Sequence, residues 1–378
     1  MNGTVFHVLT ETDSFSDTHG AALQRWVANV LRFEAEETVV ACARGDASWD
    51  LPHVRRLHLS GLNYYSKLRG RYRLPWGVRR PLLRRVLRPI ITALSPGCVV
   101  WIHNRPDYAG AIEKDVRAAG ASLVVHLHNS LLVSFPSEVA NSFRADKLVF
   151  CSNYLATEAA SAFPKLDKMA VIHNGADENR FFPKVTPEGS QSNQVTPVVL
   201  FAGRLVPEKG AHVFVEAMWL LQARGVKVTG RLIGATGFGS SNGATAYSRK
   251  VMQHAPRNVE FGGYQSSRAL AEEFRRASVF CSPSVWHEPF GLVNVEAMAS
   301  GLPIVSTLGG GVPEVFAEGG AVLVARGSAV ELADAIERVI RNKGLRLQLA
   351  ADGYNSFHKN FTWRTVHHRY REVLSSLA

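Results

Sequence analysis

Nine short apolar runs recur along the chain, at Val5–Leu9, Val99–His103, Leu123–His128, Leu148–Cys151, Val198–Ala202, Val228–Ile233, Val279–Ser282, Pro303–Ser306 and Ala321–Val324. Most are followed by a polar or glycine-containing turn and then by a segment of helical period. A strand that is apolar at every position must be covered on both faces, the condition of a parallel sheet flanked by helices. The pattern therefore predicts an α/β chain of doubly wound sheets. Both halves open alike, with a strand, a loop carrying a glycine (Gly20, Gly210) and a helical stretch (Leu23–Leu31, Val213–Leu221). Between them, residues 182–197 are polar, proline-flanked and aperiodic, which marks a linker. At 378 residues there is length for two full cores. Two such domains facing one another place a cleft between the carboxyl ends of their sheets, where α/β folds bind ligands.

Composition removes several other classes. With 46% hydrophobic and 20% charged residues, the chain is neither disordered nor a small disulfide-stapled fold. The longest apolar stretch, Pro89–Ile102, is interrupted by Ser95, Pro96 and Gly97 and falls short of the roughly 18 residues of a membrane-spanning helix. The first ten residues do not read as a signal peptide, so a cytosolic protein is expected. Cys42, Cys98, Cys151 and Cys281 are widely spaced and mostly sit in apolar runs, as buried thiols do.

The net charge of +11 is local. From Leu51 through Pro106 there is no acidic residue and there are twelve basic ones, from Arg55 and Arg56 to Arg88 and Arg105. Tyr64, Tyr65, Tyr72 and Trp76 interleave with them, and Leu82, Leu83, Val86, Leu87 and Ile90 give the stretch after Pro81 a helical apolar stripe. A basic amphipathic helix of this kind suits an anionic membrane surface, here through segment 55–88, while a solvated basic face and a nucleic-acid groove are the alternatives.

Three places carry chemistry. In Phe201-Ala-Gly-Arg-Leu-Val-Pro-Glu-Lys-Gly210, Arg204 follows a strand and Lys209 opens a helix. Two cations at a positive helix end are unfavourable unless an anion completes the site, so the loop reads as a diphosphate clamp. Glu288 and Glu296, eight residues apart, are read as a turn carboxylate and one two turns into the next helix. Both are placed to accept hydrogen bonds from sugar diols, with the N–H groups of Phe290, Gly291 and Leu292 at the helix start. In Leu-Val-Val-His126-Leu-His128 the two histidines alternate on one strand and point to one face, with His128 at the carboxyl end; His103-Asn104-Arg105 ends another strand, where acceptor contact or packing is expected.

The run from Glu288 to Glu314, with Gly-Arg-Leu and Lys209-Gly210 before it, resembles the glycosyltransferases of family 4: the Glu-x7-Glu element, Gly301-Leu-Pro-Ile-Val and Gly-Gly-Val-Pro-Glu follow in order. Asn174-Gly-Ala-Asp177 with Phe181, and Phe361-Thr-Trp363, match further elements of that family. The resemblance implies a GT-B fold of two Rossmann-like domains across a cleft: an acceptor-side domain over 1–185, with helix 362–378 packing back on it, and a nucleotide-sugar domain over 195–361. It assigns Arg204 and Lys209 to the donor diphosphate, Glu288 to the sugar hydroxyls and Glu296 to the ribose, with Tyr264, Phe290, Gly291 and Leu292 also at the donor. His128 would face the donor sugar. Gly20 would approach the donor through its backbone, and His19, His103 and Arg105 would lie on the acceptor side. The implied activity is retaining hexosyl transfer from a nucleotide sugar to a glycan or glycolipid, without metal or other cofactor. Likeness to bacterial surface-polysaccharide enzymes at Ile102–Pro106 and His126–Asn129 favours a UDP-sugar and an envelope product, with GDP-mannose the alternative. The enzyme would sit at the inner face of the membrane, with no nucleic-acid partner. A dinucleotide oxidoreductase is disfavoured because Gly237-Phe-Gly239 is not completed as Gly-x-Gly-x-x-Gly.

Overall fold

The computed structural model describes residues 3–11, 13, 15, 22–43, 49–72, 74–130, 144–162, 168–184, 196–235 and 244–377. His19, Gly20, Gly237, Gly239 and most of the linker, 185–195, lie outside them. The chain divides into two compact units, one of residues 1–174 with 363–378 and one of residues 175–362.

The first unit is a seven-stranded sheet of β1 (Val5–Val8), β2 (Thr38–Cys42), β3 (Val54–His58), β4 (Val99–His103), β5 (Ser122–Leu127), β6 (Lys147–Phe150) and β7 (Met169–Val171). Every pair is parallel and the order is β3-β2-β1-β4-β5-β6-β7. Helix Ala22–Leu31 buries Trp26, Val27, Val30 and Leu31 on one face, in a core shared with Trp101 and with Trp363, Val366 and Tyr370 of the last helix, Trp363–Ser375. The chain thus returns from the second unit to complete the core of the first.

The second unit is a six-stranded parallel sheet, β8 (Val198–Ala202), β9 (Thr229–Ile233), β10 (Val259–Gly263), β11 (Val279–Ser282), β12 (Ile304–Thr307) and β13 (Ala321–Val324), in the order β10-β9-β8-β11-β12-β13. Both units are doubly wound, as continuous apolar strands require.

Four strands were not among the nine runs, and three of them, β3, β7 and β10, are sheet edges. β3 reads Val-Arg-Arg-Leu-His and buries only Val54, with Arg55 exposed against Glu37 at 3.1 Å. Edge strands need cover only in part, so their sequences are not continuously apolar.

The basic segment differs from its reading. The helix begins at Trp76 and runs through Pro81 to Val86, with a further turn at Arg88–Ile91. Leu83, Leu87 and Ile90 are completely buried, with the helix packed on Pro106–Ala118, so most of the apolar stripe belongs to the core. Arg79 is buried with its guanidinium over Trp76, and Arg84 donates two bonds to Asp115 at 2.7 and 2.6 Å. What faces outward includes Val78, Leu82, Arg85 and Arg88, together with Arg84, which is exposed although paired with Asp115. Among the described residues no helix is long and apolar enough to cross a membrane, and all four cysteines are buried free thiols.

Candidate active site

In the second sheet the strand order reverses direction between β8 and β11, so the loops after those strands diverge and leave a crevice. The loop after β8 makes a short 3-10 turn, Pro207–Lys209, and ends at Gly210, whose φ of 72° starts helix Ala211–Ala223. A Cβ at Gly210 would stand 1.8 Å from the Pro283 carbonyl oxygen, so only glycine lets this loop close on the one after β11. Val285 N–H donates to the Glu208 carbonyl at 2.9 Å and fixes the two loops together.

The close approach brings Lys209 to Glu288. Lys209 Nζ donates to Glu288 Oε1 at 2.6 Å, and Ser284 Oγ donates to the same oxygen at 2.5 Å. The Lys209 ammonium also lies 5.7 Å from the Trp286 ring centre. Burial pushes the Glu288 carboxyl upward, but the Lys209 charge and the bonds from Lys209 and Ser284 outweigh it and hold the group below its ordinary value, as a carboxylate. Its backbone is gripped from behind. Gly311 N–H donates to the Glu288 carbonyl at 2.8 Å, and Gly310, at φ 62°, passes so close that a Cβ would lie 2.1 Å from that oxygen. The Gly-Gly pair of the Gly-Gly-Val-Pro-Glu motif, Gly310 and Gly311, is thus a packing requirement of Glu288.

Gly291, at φ 89°, starts helix Leu292–Ala299. Glu296 is therefore one turn into the helix, not two, and it is 7% exposed. Phe290 is buried against Phe361 with ring centres 6.0 Å apart, which fixes the entry to the helix. Arg204 follows β8 in the same loop as Lys209, whereas Tyr264, 48% exposed, follows the edge strand β10, two strand positions from β8.

The first sheet reverses between β1 and β4, and it too carries an ion pair there. Arg105, after β4, donates from Nε to Glu11 Oε2 at 2.5 Å and from Nη2 to Oε1; Tyr108 adds a bond to Oε2 at 2.9 Å. Arg105 is thus paired with Glu11, the packing role that its strand-end position also allowed. His103 is corrected from acceptor contact to packing. It is completely buried, with Nε2 bonded to His7 Nδ1 at 3.1 Å and Nδ1 to His128 Nε2 at 3.3 Å, so no acceptor reaches it.

His128, just past β5, is partly buried, and its ring centre stands 3.9 Å from that of His126 on the same face. Its backbone N–H donates to Asn104 Oδ1 at 2.7 Å, and Asn104 has φ 52°, the positive-φ region that asparagine tolerates better than most residues. Burial pushes the His128 imidazole down to about 3, opposed by a side-chain hydrogen bond with Asn174. Sequence reasoning missed Glu11, Ser284, His7 and Tyr370. Only Glu11 had a usable signal, a carboxylate just beyond a central strand.

Residues 185–356 match the family model described as glycosyl transferases group 1. The chain is 26% identical to spore coat protein SA of Bacillus subtilis (strain 168) over 286 residues, 71% of this chain and 75% of that one. It is 24% identical to the lipopolysaccharide 1,2-N-acetylglucosaminetransferase of Salmonella typhimurium over 390 residues, 98% of each. Among solved structures, Anabaena Alr3699/HepE in complex with UDP superposes with a TM-score of 0.75 at 22% identity, covering 99% of this chain and 100% of that one. Residues 185–356 thus match the model of the glycosyl transferases group 1, within a two-unit chain of the GT-B fold.

Proposed function

We propose that the protein is a retaining hexosyltransferase that takes a sugar from a nucleoside diphosphate and passes it to a glycan or glycolipid of the cell envelope, without a metal. The observation that carries this reading is the Lys209–Glu288 pair at 2.6 Å on the switch point of a group 1 domain. A lysine ammonium has three donors, so Lys209 can keep its bond to Glu288 while reaching a diphosphate oxygen. Arg204 beside it would share the charge that builds on the diphosphate as its bond to the anomeric carbon breaks. Both bonds to Glu288 fall on Oε1. Oε2 is the atom assigned here to a donor sugar hydroxyl, with Glu296 on the ribose. His128 would face the sugar, and the acceptor hydroxyl would attack on the face the diphosphate leaves.

A UDP-sugar, such as UDP-N-acetylglucosamine or UDP-glucose, is the preferred donor. It is supported by the N-acetylglucosaminetransferase relative and by the UDP-bound neighbour; a GDP-mannose donor is the alternative. The test is nucleotide release from UDP-glucose, UDP-N-acetylglucosamine and GDP-mannose, with Arg204→Ala as control. Release of UDP that disappears in the variant supports the assignment, and wild-type rates in Arg204→Ala end it.

The enzyme would work at the inner face of the membrane, with Arg85, Arg88 and Leu82 toward anionic lipid. Arg79 and Arg84 are occupied within the fold, so the informative replacement is Arg80, Arg85 and Arg88 to Ser. Unchanged sedimentation with anionic vesicles would return this face to solvent.

A further inference from the structure

In the first unit a tyrosine and three imidazoles form a single hydrogen-bonded file. Tyr370 Oη lies 3.0 Å from His7 Nε2, His7 Nδ1 lies 3.1 Å from His103 Nε2, and His103 Nδ1 lies 3.3 Å from His128 Nε2. Asn174 also hydrogen-bonds the His128 side chain. Tyr370, His7 and His103 are fully buried, and burial holds all three imidazoles neutral, His7 and His128 pushed down to about 3 and His103 well below its ordinary value.

A neutral imidazole carries one N–H and one bare nitrogen. The file then has two self-consistent orders, with every donor pointing toward His128 or every donor pointing toward Tyr370. Any mixture sets N–H against N–H, or lone pair against lone pair, inside the core. The phenol breaks the tie. Tyr370 carries a hydrogen of its own, and His7 is its hydrogen-bond partner among the described residues. If His7 donated to the phenol oxygen, the phenol hydrogen would be buried without an acceptor.

We infer that Tyr370, acting through His7 and His103, holds His128 as the tautomer with hydrogen on Nδ1 and a bare Nε2 that accepts from His103. Tyr370, His7 and His103 are positioning residues for His128, and their bearing on transfer rests on the reading that His128 faces the donor sugar. With Nε2 occupied, the ring has only the Nδ1 hydrogen to offer, now shared with Asn174. A ligand there must present an acceptor oxygen, as a sugar hydroxyl or a phosphate does. A residue some 240 positions away in sequence thereby sets the polarity of a site in the first half of the chain.

His103, His126 and His128 also bring ring nitrogens within 4.8 Å of one another, and among the described residues neither nitrogen of His126 has a hydrogen-bond partner. A shared cation is nevertheless disfavoured. The His126 and His128 rings lie 3.9 Å apart at 32°, so their in-plane lone pairs run side by side and do not converge. His126 instead makes an edge-to-face contact with Trp26, centres 4.6 Å apart.

The test is 15N NMR of the imidazoles in the ligand-free full chain, assigned with His7→Gln, His103→Gln and His128→Gln. All three histidines are expected to carry hydrogen on Nδ1 and a bare Nε2; hydrogen on Nε2 of His128 overturns the inference without any variant having to fold. In Tyr370→Phe, which keeps the ring against Trp101, the three histidines should move together toward mixed tautomers, and an unmoved His128 removes Tyr370 from the account. Equimolar Zn2+ should leave the signals unchanged; stoichiometric binding that replaces the His103–His128 bond overturns the file. Donor turnover separates the two readings. A tautomer shift with unchanged UDP-sugar hydrolysis supports this inference and removes His128 from the sugar, whereas a several-fold fall in hydrolysis with unchanged UDP affinity supports both.

Discussion

Each unit places an ion pair where its strand order reverses, but the two pairs are built for different ends. In the first unit the acid follows the first strand and the base the fourth; in the second the order is inverted, Lys209 after β8 and Glu288 after β11. Arg105 engages both oxygens of Glu11, Tyr108 adds a third bond, and the Glu11 side chain is 2% exposed. That network is closed. Lys209 meets one oxygen of Glu288 and is itself 24% exposed. A planar guanidinium locked in two parallel bonds is costly to redirect, whereas an ammonium on a flexible stem exchanges partners readily. The same topology thus supports a pair closed on both carboxylate oxygens in one unit and a pair engaged through one carboxylate oxygen in the other.

The largest expected difference between the units is in acid. His7, His103, His126 and His128 are all held neutral by burial in the first unit. A histidine that stays neutral when folded takes up its proton only on unfolding. Its stabilising effect is complete above pH 6.5 and is lost as pH falls from there toward the folded value, about 3 for His7 and His128. Four such groups give a slope of up to about 5 kcal/mol per pH unit. Glu288 has a lowered pKa, so its contribution is present above 4.5 and is lost only as pH falls through that lowered value. Hydrogen exchange by mass spectrometry, corrected for intrinsic rates, should therefore show the first unit opening at higher pH than the second. Simultaneous opening would erase the distinction.

Next in size is removal of the bases. Arg105→Ala leaves Glu11 buried without its cation and should cost about 3–5 kcal/mol, read by urea unfolding, with UDP affinity retained. Lys209→Ala likewise leaves the buried Glu288 without its cation and should cost on the order of 3–5 kcal/mol, but unlike Arg105→Ala it should lose UDP binding. UDP binding retained in both variants would mean that the second pair is only a brace.

A smaller contrast lies in the glycines. Gly310 and Gly97 both have positive φ, 62° and 82°, yet a Cβ at Gly310 strikes the Glu288 carbonyl at 2.1 Å and one at Gly97 meets nothing within 4 Å. Gly97→Ala should cost about 1 kcal/mol; Gly310→Ala should cost more and weaken UDP binding, measured by calorimetry. The smallest effect is expected from Asn104→Gly, which keeps the φ of 52° without strain and loses only the bond to the His128 amide, about 1 kcal/mol or less.

Nine strands were legible in the sequence because they are apolar runs, the edge β13 among them. β3 and β10 were not, since an edge needs cover only in part, while the three-residue edge β7 and the central, fully buried β2 were missed although their sequences are largely apolar. The acidic half of the candidate site was readable because Glu288, the glycine at 291 and Glu296 lie within nine residues of chain. What local spacing cannot show is which distant loops the sheet order brings together: Lys209 and Glu288 are 79 residues apart, Arg105 and Glu11 are 94, and Tyr370 and His7 are 363. Arg105 and His103 were read as ligand-facing because strand ends point to sites. Nothing nearby in sequence revealed that Glu11, His7 and His128 had already engaged them.

The central claim is that the Lys209–Glu288 crevice, and not its counterpart in the first unit, receives the nucleotide diphosphate. It is tested most directly by the melting temperature of the wild type, Lys209→Ala and Arg105→Ala with and without saturating UDP, since a ligand bound only by the folded state raises it. The account predicts an upward shift in the wild type and in Arg105→Ala and none in Lys209→Ala. A shift that survives in Lys209→Ala, or no shift with UDP in the wild type, would contradict it.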